Sequence, residues 1–157
     1  MRRTSLQSAR EVIPLVRHYY DPASVVDVGC GGGSWLSVFH ELGIRDIYGL
    51  DGDWANTDDL LIPSALFQET DFLKPFRLSR TFDLVVCLEI AEHIQKSSAP
   101  VLIESLTHLG PVILFSAAIP DQGGVDHVNE QWPEYWARLF GRFRLCSGRL
   151  FEKASME

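Results

Sequence analysis

Residues 88–94, LEIAEHI, place two carboxylates and an imidazole within five positions, directly after the apolar run FDLVVCL. Glu89, Glu92 and His93 stand at i, i+3 and i+4, so on one turn of backbone they share a face. Such a trio can offer two oxygens and a nitrogen to one divalent cation. It can equally set a base beside an acceptor hydroxyl. A third reading is the polar start of a helix, where glutamates contribute ~0.3–1 kcal/mol through the helix dipole alone. A second polar set, Asp126, His127 and Glu130, follows Gly123-Gly124. His93 and His127 are the candidate bases, with Glu92 beside them.

The elements that must position these groups are short β-rich runs alternating with helical segments. SVVDVGC (24–30) is an apolar run ending in glycine, the pattern of a buried parallel strand. A helix follows, with Trp35, Leu36, Phe39 and Leu42 at helical spacing and Gly43 as its stop. Strands are expected at 46–51, within 65–72, at 82–89 and at 111–117, and a helix over 98–109. The segment from Pro133, closed by Gly141, reads as a further helix with proline in its first turn. FRLC and RLFEK read as two short strands turned at Ser147-Gly148. Residues 1–23 form a helical N-terminal segment and 24–157 an α/β core, a single domain in all. The alternation implies a Rossmann-like, doubly wound, mostly parallel sheet with helices on both faces and right-handed crossovers. Trp132, Trp136 and Phe140 recur every four residues, the mark of a buried helix face, with Trp132 the exception nearest the loop.

Composition narrows the classes of function. The chain has 157 residues, 46% of them hydrophobic and 22% charged, ordinary values for a globular protein. A net charge of −7 repels a phosphate backbone, so no nucleic-acid partner is expected. Cys30, Cys87 and Cys146 are far apart and set among apolar residues, as reduced core thiols of a cytoplasmic protein are. Arg10 and Glu11 interrupt any signal-peptide core, and no apolar stretch is long enough to span a bilayer, so no membrane partner is expected.

VVDVGCGGGS is the most informative stretch. A strand that ends in glycines and passes into a helix aims backbone N–H groups and a positive helix end at a ligand. Ser34 stands where a dinucleotide fingerprint requires its third glycine. The spacing present is Asp27-x-Gly29-x-Gly31-x-Gly33. An acid two residues before the first glycine suits a ligand carrying an amino group and a sulfonium, and sits poorly beside a pyrophosphate. Asp51 at the end of the second strand can accept both hydrogen bonds of a ribose diol. Asp71 can accept from an adenine amino group while Phe72 covers the ring.

In this order, DVGCGGGSW, YGLDGD, ETDF and FDLVVCLEIAEHI resemble class I S-adenosylmethionine-dependent methyltransferases across nearly the whole chain. The resemblance implies a parallel sheet with one reversed strand and the cofactor lying across the carboxyl ends of the strands. It places Asp27, Gly29, Cys30, Gly31 and Gly33 on the methionine part, Asp51 and Gly52 on the ribose, and Asp71 and Phe72 on the adenine, with Leu88 beside them. The pairing of ExxEH with a later DHxxE-W is similar to the metal-using O-methyltransferases, which include small-RNA 2′-O-methyltransferases and ubiquinone-pathway enzymes. That likeness implies a magnesium or other divalent-cation set of Glu89, Glu92, His93 and His127.

The expected function is methyl transfer to a hydroxyl of a small-molecule acceptor. The family's fold ends in a long antiparallel hairpin, for which FRLCSGRLFEKASME leaves a short or incomplete one. That leaves a sheet edge open to another chain, as in an oligomer, and makes a non-catalytic or partner-dependent cofactor-binding module the alternative. A nicotinamide-dependent oxidoreductase fails on Ser34 and on the lack of a catalytic domain.

Overall fold

The computed structural model describes residues 2–53, 55 and 57–143, so Cys146 and the hairpin expected around Ser147-Gly148 lie outside the described residues. The order of elements is α1 (Arg2–Tyr19), β1 (Ser24–Val28), α2 (Ser34–Glu41), β2 (Asp46–Asp51), β3 (Phe67–Glu69), β4 (Leu84–Leu88), α3 (Ala99–Leu109), β5 (Val112–Ser116) and α4 (Pro133–Arg142). Short 3₁₀ turns occupy Thr57–Asp59, Ser64–Leu66 and Ala91–His93. Every expected strand and helix among the described residues is present, most of them trimmed by a residue or two.

The two glycines read as helix stops behave differently. Gly43 has φ +101° and its N–H reaches the His40 carbonyl, closing α2. Gly141 stays right-handed, so α4 runs through it to Arg142.

The five strands are all parallel and lie in the order β3-β2-β1-β4-β5. Alternation along the strands feeds two cores. Val25 and, from β4, Leu84 and Val86 face one side, where they meet Ala9, Ile13 and Val16 of α1 and Leu36 and Phe39 of α2. Val26 and Val28, with Val85 and Cys87, face the other, where Leu102 and Leu106 of α3 and Trp136 and Leu139 of α4 close over them. Helices thus cover both faces, which is why these strands are apolar on both sides. No helix among the described residues is long and apolar enough to cross a membrane.

The strand order reverses between β1 and β4. Crossovers leave that point toward opposite faces, opening a crevice at the carboxyl ends of the two strands. The glycine loop follows β1 and Glu89 follows β4, so the topology alone delivers both motifs to one crevice.

Candidate active site

The loop after β1 needs its glycines. Gly29, Gly31 and Gly33 have φ of +85°, +52° and +77°, a region that residues with a Cβ enter at a cost. At Gly29 a Cβ would also lie 2.2 Å from the Ile90 side chain. Gly29 and Cys30 both donate N–H to the Leu50 carbonyl, at 2.8 and 3.1 Å, which draws the loop over the tip of β2. Gly31 N–H donates to Asp51 Oδ2 at 2.5 Å and Gly52 N–H to Asp51 Oδ1 at 2.7 Å. Asp51 is buried and thereby fixed, and each oxygen keeps lone-pair capacity for a diol.

Asp27 is 3% exposed at the end of β1. Burial, and secondarily the neighbouring Asp51, pushes its carboxyl up to about 8. An acid so placed is matched by a positively charged ligand group, which restores the ionised form.

Asp27, Gly29, Cys30, Gly31 and Asp51 line a cleft of about 1170 Å³ that also takes in Ser5 and Ser8 of α1, Trp35 of α2, and Leu88, Glu89 and His93, whereas Gly33 and Gly52, expected beside the cofactor, are not among its lining residues. No lysine or arginine is among the described residues that line it. Asp71 lines the cleft; Lys74, outside the lining, has its Nζ 2.9 Å from Oδ2, and the Leu73 N–H donates to Oδ1. That lysine, first through its hydrogen bond, holds the Asp71 carboxyl below the usual range.

Phe72 lines the cleft from the core side. Its side chain is 2% exposed and packs in the core against Phe76, with ring centroids 5.5 Å apart. It backs the cleft wall, and the half-exposed side chain there is Leu73.

Beyond β4 the four groups of the expected metal set divide. Glu92, His93 and His127 each offer a ligand atom, and these atoms lie within 4.8 Å of one another. Glu89 stands apart from that group. Its backbone is left-handed, φ +57°, and its Oε1 accepts from Ser116 Oγ at 2.6 Å. The 3₁₀ turn that starts at Ala91 breaks the single helical turn that would have put all three residues of the motif on one face.

Glu92 is 0% exposed, and neither of its carboxylate oxygens has a hydrogen-bond partner among the described residues. Burial raises its pKa foremost; its own backbone pulls the other way, Glu89 raises it further, and the two histidines lower it.

The histidines are oriented from behind. His93 Nδ1 lies 3.2 Å from the Asp126 carbonyl, which can only accept, so Nδ1 carries the proton and Nε2 keeps its lone pair. His127 Nδ1 lies 3.0 Å from Glu130 Oε1, with the same consequence. The two rings meet edge to face at 5.0 Å. The contribution of Asp126 is therefore its carbonyl, and sequence reasoning had only its acid to weigh. Leu73, Ile90 and the serines of α1 carry no sequence signal for a site and were missed.

A family model described as a methyltransferase domain matches residues 6–154. No curated protein matches the sequence. Among solved structures, a SAM-dependent methyltransferase from Archaeoglobus fulgidus is 20% identical with a TM-score of 0.66, covering 90% of this chain and 68% of that one. The methyltransferase domain of a bacterial Hen1 protein is 16% identical with a TM-score of 0.68, covering 88% and 86%. A sugar N-methyltransferase from Streptoalloteichus is 24% identical with a TM-score of 0.59, covering 74% of this chain and 50% of its own length. The chain thus spans about half of that enzyme and two thirds of the archaeal one. With a matching family model over nearly its full length, the chain belongs to the methyltransferase-domain family, and its fold is that of the class I S-adenosylmethionine-dependent methyltransferases.

Proposed function

We propose that the chain methylates a hydroxyl oxygen of a small molecule, with a divalent cation held by Glu92, His93 and His127. In this reading Asp27 and the loop of Gly29, Gly31 and Gly33 receive the methionine part of S-adenosylmethionine. Asp51 and Gly52 receive the ribose, and Asp71 with Leu73 the adenine. One observation carries the cation: a fully buried carboxylate with no hydrogen-bond partner among the described residues lies beside two imidazoles whose Nδ1 atoms are already committed. A buried charge is retained where it is paired or coordinates a metal. Two imidazole nitrogens and one carboxylate suit a first-row transition ion better than magnesium, which favours oxygen ligands, and Mn²⁺, which accepts both ligand types, is a practical probe. When bound, such a cation lowers the pKa of an acceptor hydroxyl.

The chain's own part is alignment. The carbon–sulfur bond breaks with its electron pair left on sulfur, the acceptor oxygen bonds to the methyl carbon, and the hydroxyl proton departs. Rate then depends on holding the oxygen in line with that bond. A second reading has direct support: His93 itself lines the cleft, and its free Nε2 can take the proton without a metal.

The test is methyl transfer from labelled S-adenosylmethionine to a panel of hydroxyl compounds, before and after chelation. Loss of turnover on chelation, restored by Mn²⁺ and abolished in Glu92→Ala, supports the cation. Turnover that survives chelation but not His93→Ala supports the second reading. Methylation confined to nitrogen acceptors refutes the hydroxyl. Cofactor binding with no turnover on any acceptor points to the non-catalytic module.

A further inference from the structure

Residues 117–132, which carry His127 to the trio, contain no helix or strand. A segment of that kind places a ligand atom only if something else fixes it, and one carboxylate does much of that here. Glu130 Oε1 accepts from His127 Nδ1 and from the Gly123 N–H, both at 3.0 Å. Its Oε2 accepts from the Asp121 N–H at 3.0 Å. Three donors from three positions of the loop converge on one side chain. The chain between them turns through left-handed residues at Asp121, Gly123 and Asp126, with φ of +70°, +68° and +58°. On the far side, Val128 and Asn129 N–H both donate to the Glu92 carbonyl, at 2.9 and 3.0 Å. His127 is thus clamped between the Glu130 carboxylate and the backbone of Glu92.

Gly124 completes the clamp. A Cβ there would lie 2.3 Å from His127 Cε1 and Nε2 and 2.7 Å from Nδ1. The ring lies flush against backbone that only glycine leaves bare.

We infer that Glu130 is a positioning residue: it holds His127 as the Nδ1–H tautomer with Nε2 turned toward Glu92 and His93, in a seat that Gly124 keeps open. The inference rests on the proposed function for its purpose, since a histidine ligand needs its second nitrogen anchored to be aimed. It does not rest on it for its test.

The full chain, free of metal, is observed by nitrogen-resolved NMR of the His127 ring at a pH where the imidazole is neutral. The wild type is expected in the Nδ1–H form, and Glu130→Ala in a mixture of tautomers. Titration with Mn²⁺ alone is expected to show binding about 10–100-fold weaker in Glu130→Ala, the usual effect of losing an outer partner of a ligand. Gly124→Ala is expected to weaken Mn²⁺ in the same way with Glu130 intact. Affinity for S-adenosylhomocysteine serves as the control and stays within about twofold, because that site shares no partner with Glu130. If Glu130→Ala does not fold, Glu130→Gln gives the same direction at smaller size, since its one oxygen must serve donors that two oxygens shared. A wild-type His127 in the Nε2–H form overturns the inference, as does a Glu130→Ala chain that keeps both tautomer and Mn²⁺ affinity. A wild type that binds no Mn²⁺ defeats the cation of the proposed function, and the tautomer alone then decides this inference.

Discussion

Asp27 should report the charge of its ligand through a proton. Its carboxyl, pushed up to about 8 by burial and by Asp51, is still mostly protonated in the ligand-free chain at neutral pH. One unit below that value, at pH 7, only about one molecule in eleven carries the ionised form. A ligand amino group or sulfonium beside it stabilises the carboxylate, so binding at pH 7 should expel ~0.9 proton. Affinity should rise about ninefold from pH 6 to pH 7 and level off near pH 9, because the competent fraction grows in that proportion. Calorimetry with S-adenosylhomocysteine in phosphate and in Tris reads the proton directly, as a difference in observed heat between buffers of unlike ionisation enthalpy. Asp27→Asn should bind more weakly and show no such difference. The same acid sets a stability slope. The folded state holds a proton that the unfolded state releases near pH 4, so the ligand-free chain should lose stability as pH rises from about 4 to about 8, by at most ~5–6 kcal/mol. Equal heats in both buffers for the wild type, or a difference that survives in Asp27→Asn, would refute this account of the site.

Three further outcomes follow from particular contacts. Glu92→Gln removes a buried carboxyl group that has no hydrogen-bond partner among the described residues and whose ionisation burial disfavours, so it should stabilise the metal-free chain by ~1–3 kcal/mol in denaturant titration while abolishing Mn²⁺ binding. A Glu92→Gln chain that unfolds more easily than wild type would show that the carboxylate has a partner after all. Gly29→Ala meets both a left-handed backbone and Ile90 at 2.2 Å, and should cost ~2–4 kcal/mol. Gly31→Ala meets open space and should cost only the ~1–2 kcal/mol of its backbone angle. Equal melting temperatures for the two variants would show that Ile90 yields freely. Trp136→Ala should cost ~3–5 kcal/mol, as a 4%-exposed core ring. Trp132→Ala, at 56% exposure, should stay within about 0.5 kcal/mol, and a larger loss there would place its ring in a contact.

The parts of this molecule that could be read from its sequence are those that local rules determine. The strands are apolar runs bounded by turn residues. The loop after β1 was legible because Gly29, Gly31 and Gly33 all have left-handed backbones, for which their spacing is the direct signature. The crevice was legible because alternating strands and helices leave few topologies. Side-chain direction after β4 was not. Whether Glu89 joins Glu92 depends on one backbone angle, and the left-handed turn at Glu89 brings it to Ser116. A sequence shows a glutamate but not its burial, so Glu92 was legible as a candidate ligand while its full enclosure was not. Nor does it show that Phe72 lines the cleft while packing in the core. The anchoring of His127 was hidden for another reason: Glu130, Gly123 and Asp121 meet only because an irregular loop folds back on itself, and no periodicity announces that.

Asp27 and Glu92 are two forms of one physical device. Each acid follows or ends one of the two strands that flank the crevice, β1 and β4, and each has its pKa raised chiefly by burial. A small domain rarely keeps such groups, because a neutral side chain of similar size would be more stable there. Their cost is offset when positive charge arrives, and no lysine or arginine is among the described residues that line the cleft beside Asp27. Ligands must therefore bring it: an amino group and sulfonium to Asp27 and, in the proposed function, a metal ion to Glu92. On this reasoning each ligand should raise the melting temperature of the wild type more than that of the matching Asp27→Asn or Glu92→Gln chain, and the neutralised chains should start higher. A wild type already as stable, without ligand, as both variants would mean that the fold had neutralised these acids by itself, and the crevice would then have no electrostatic reason to select a cationic ligand.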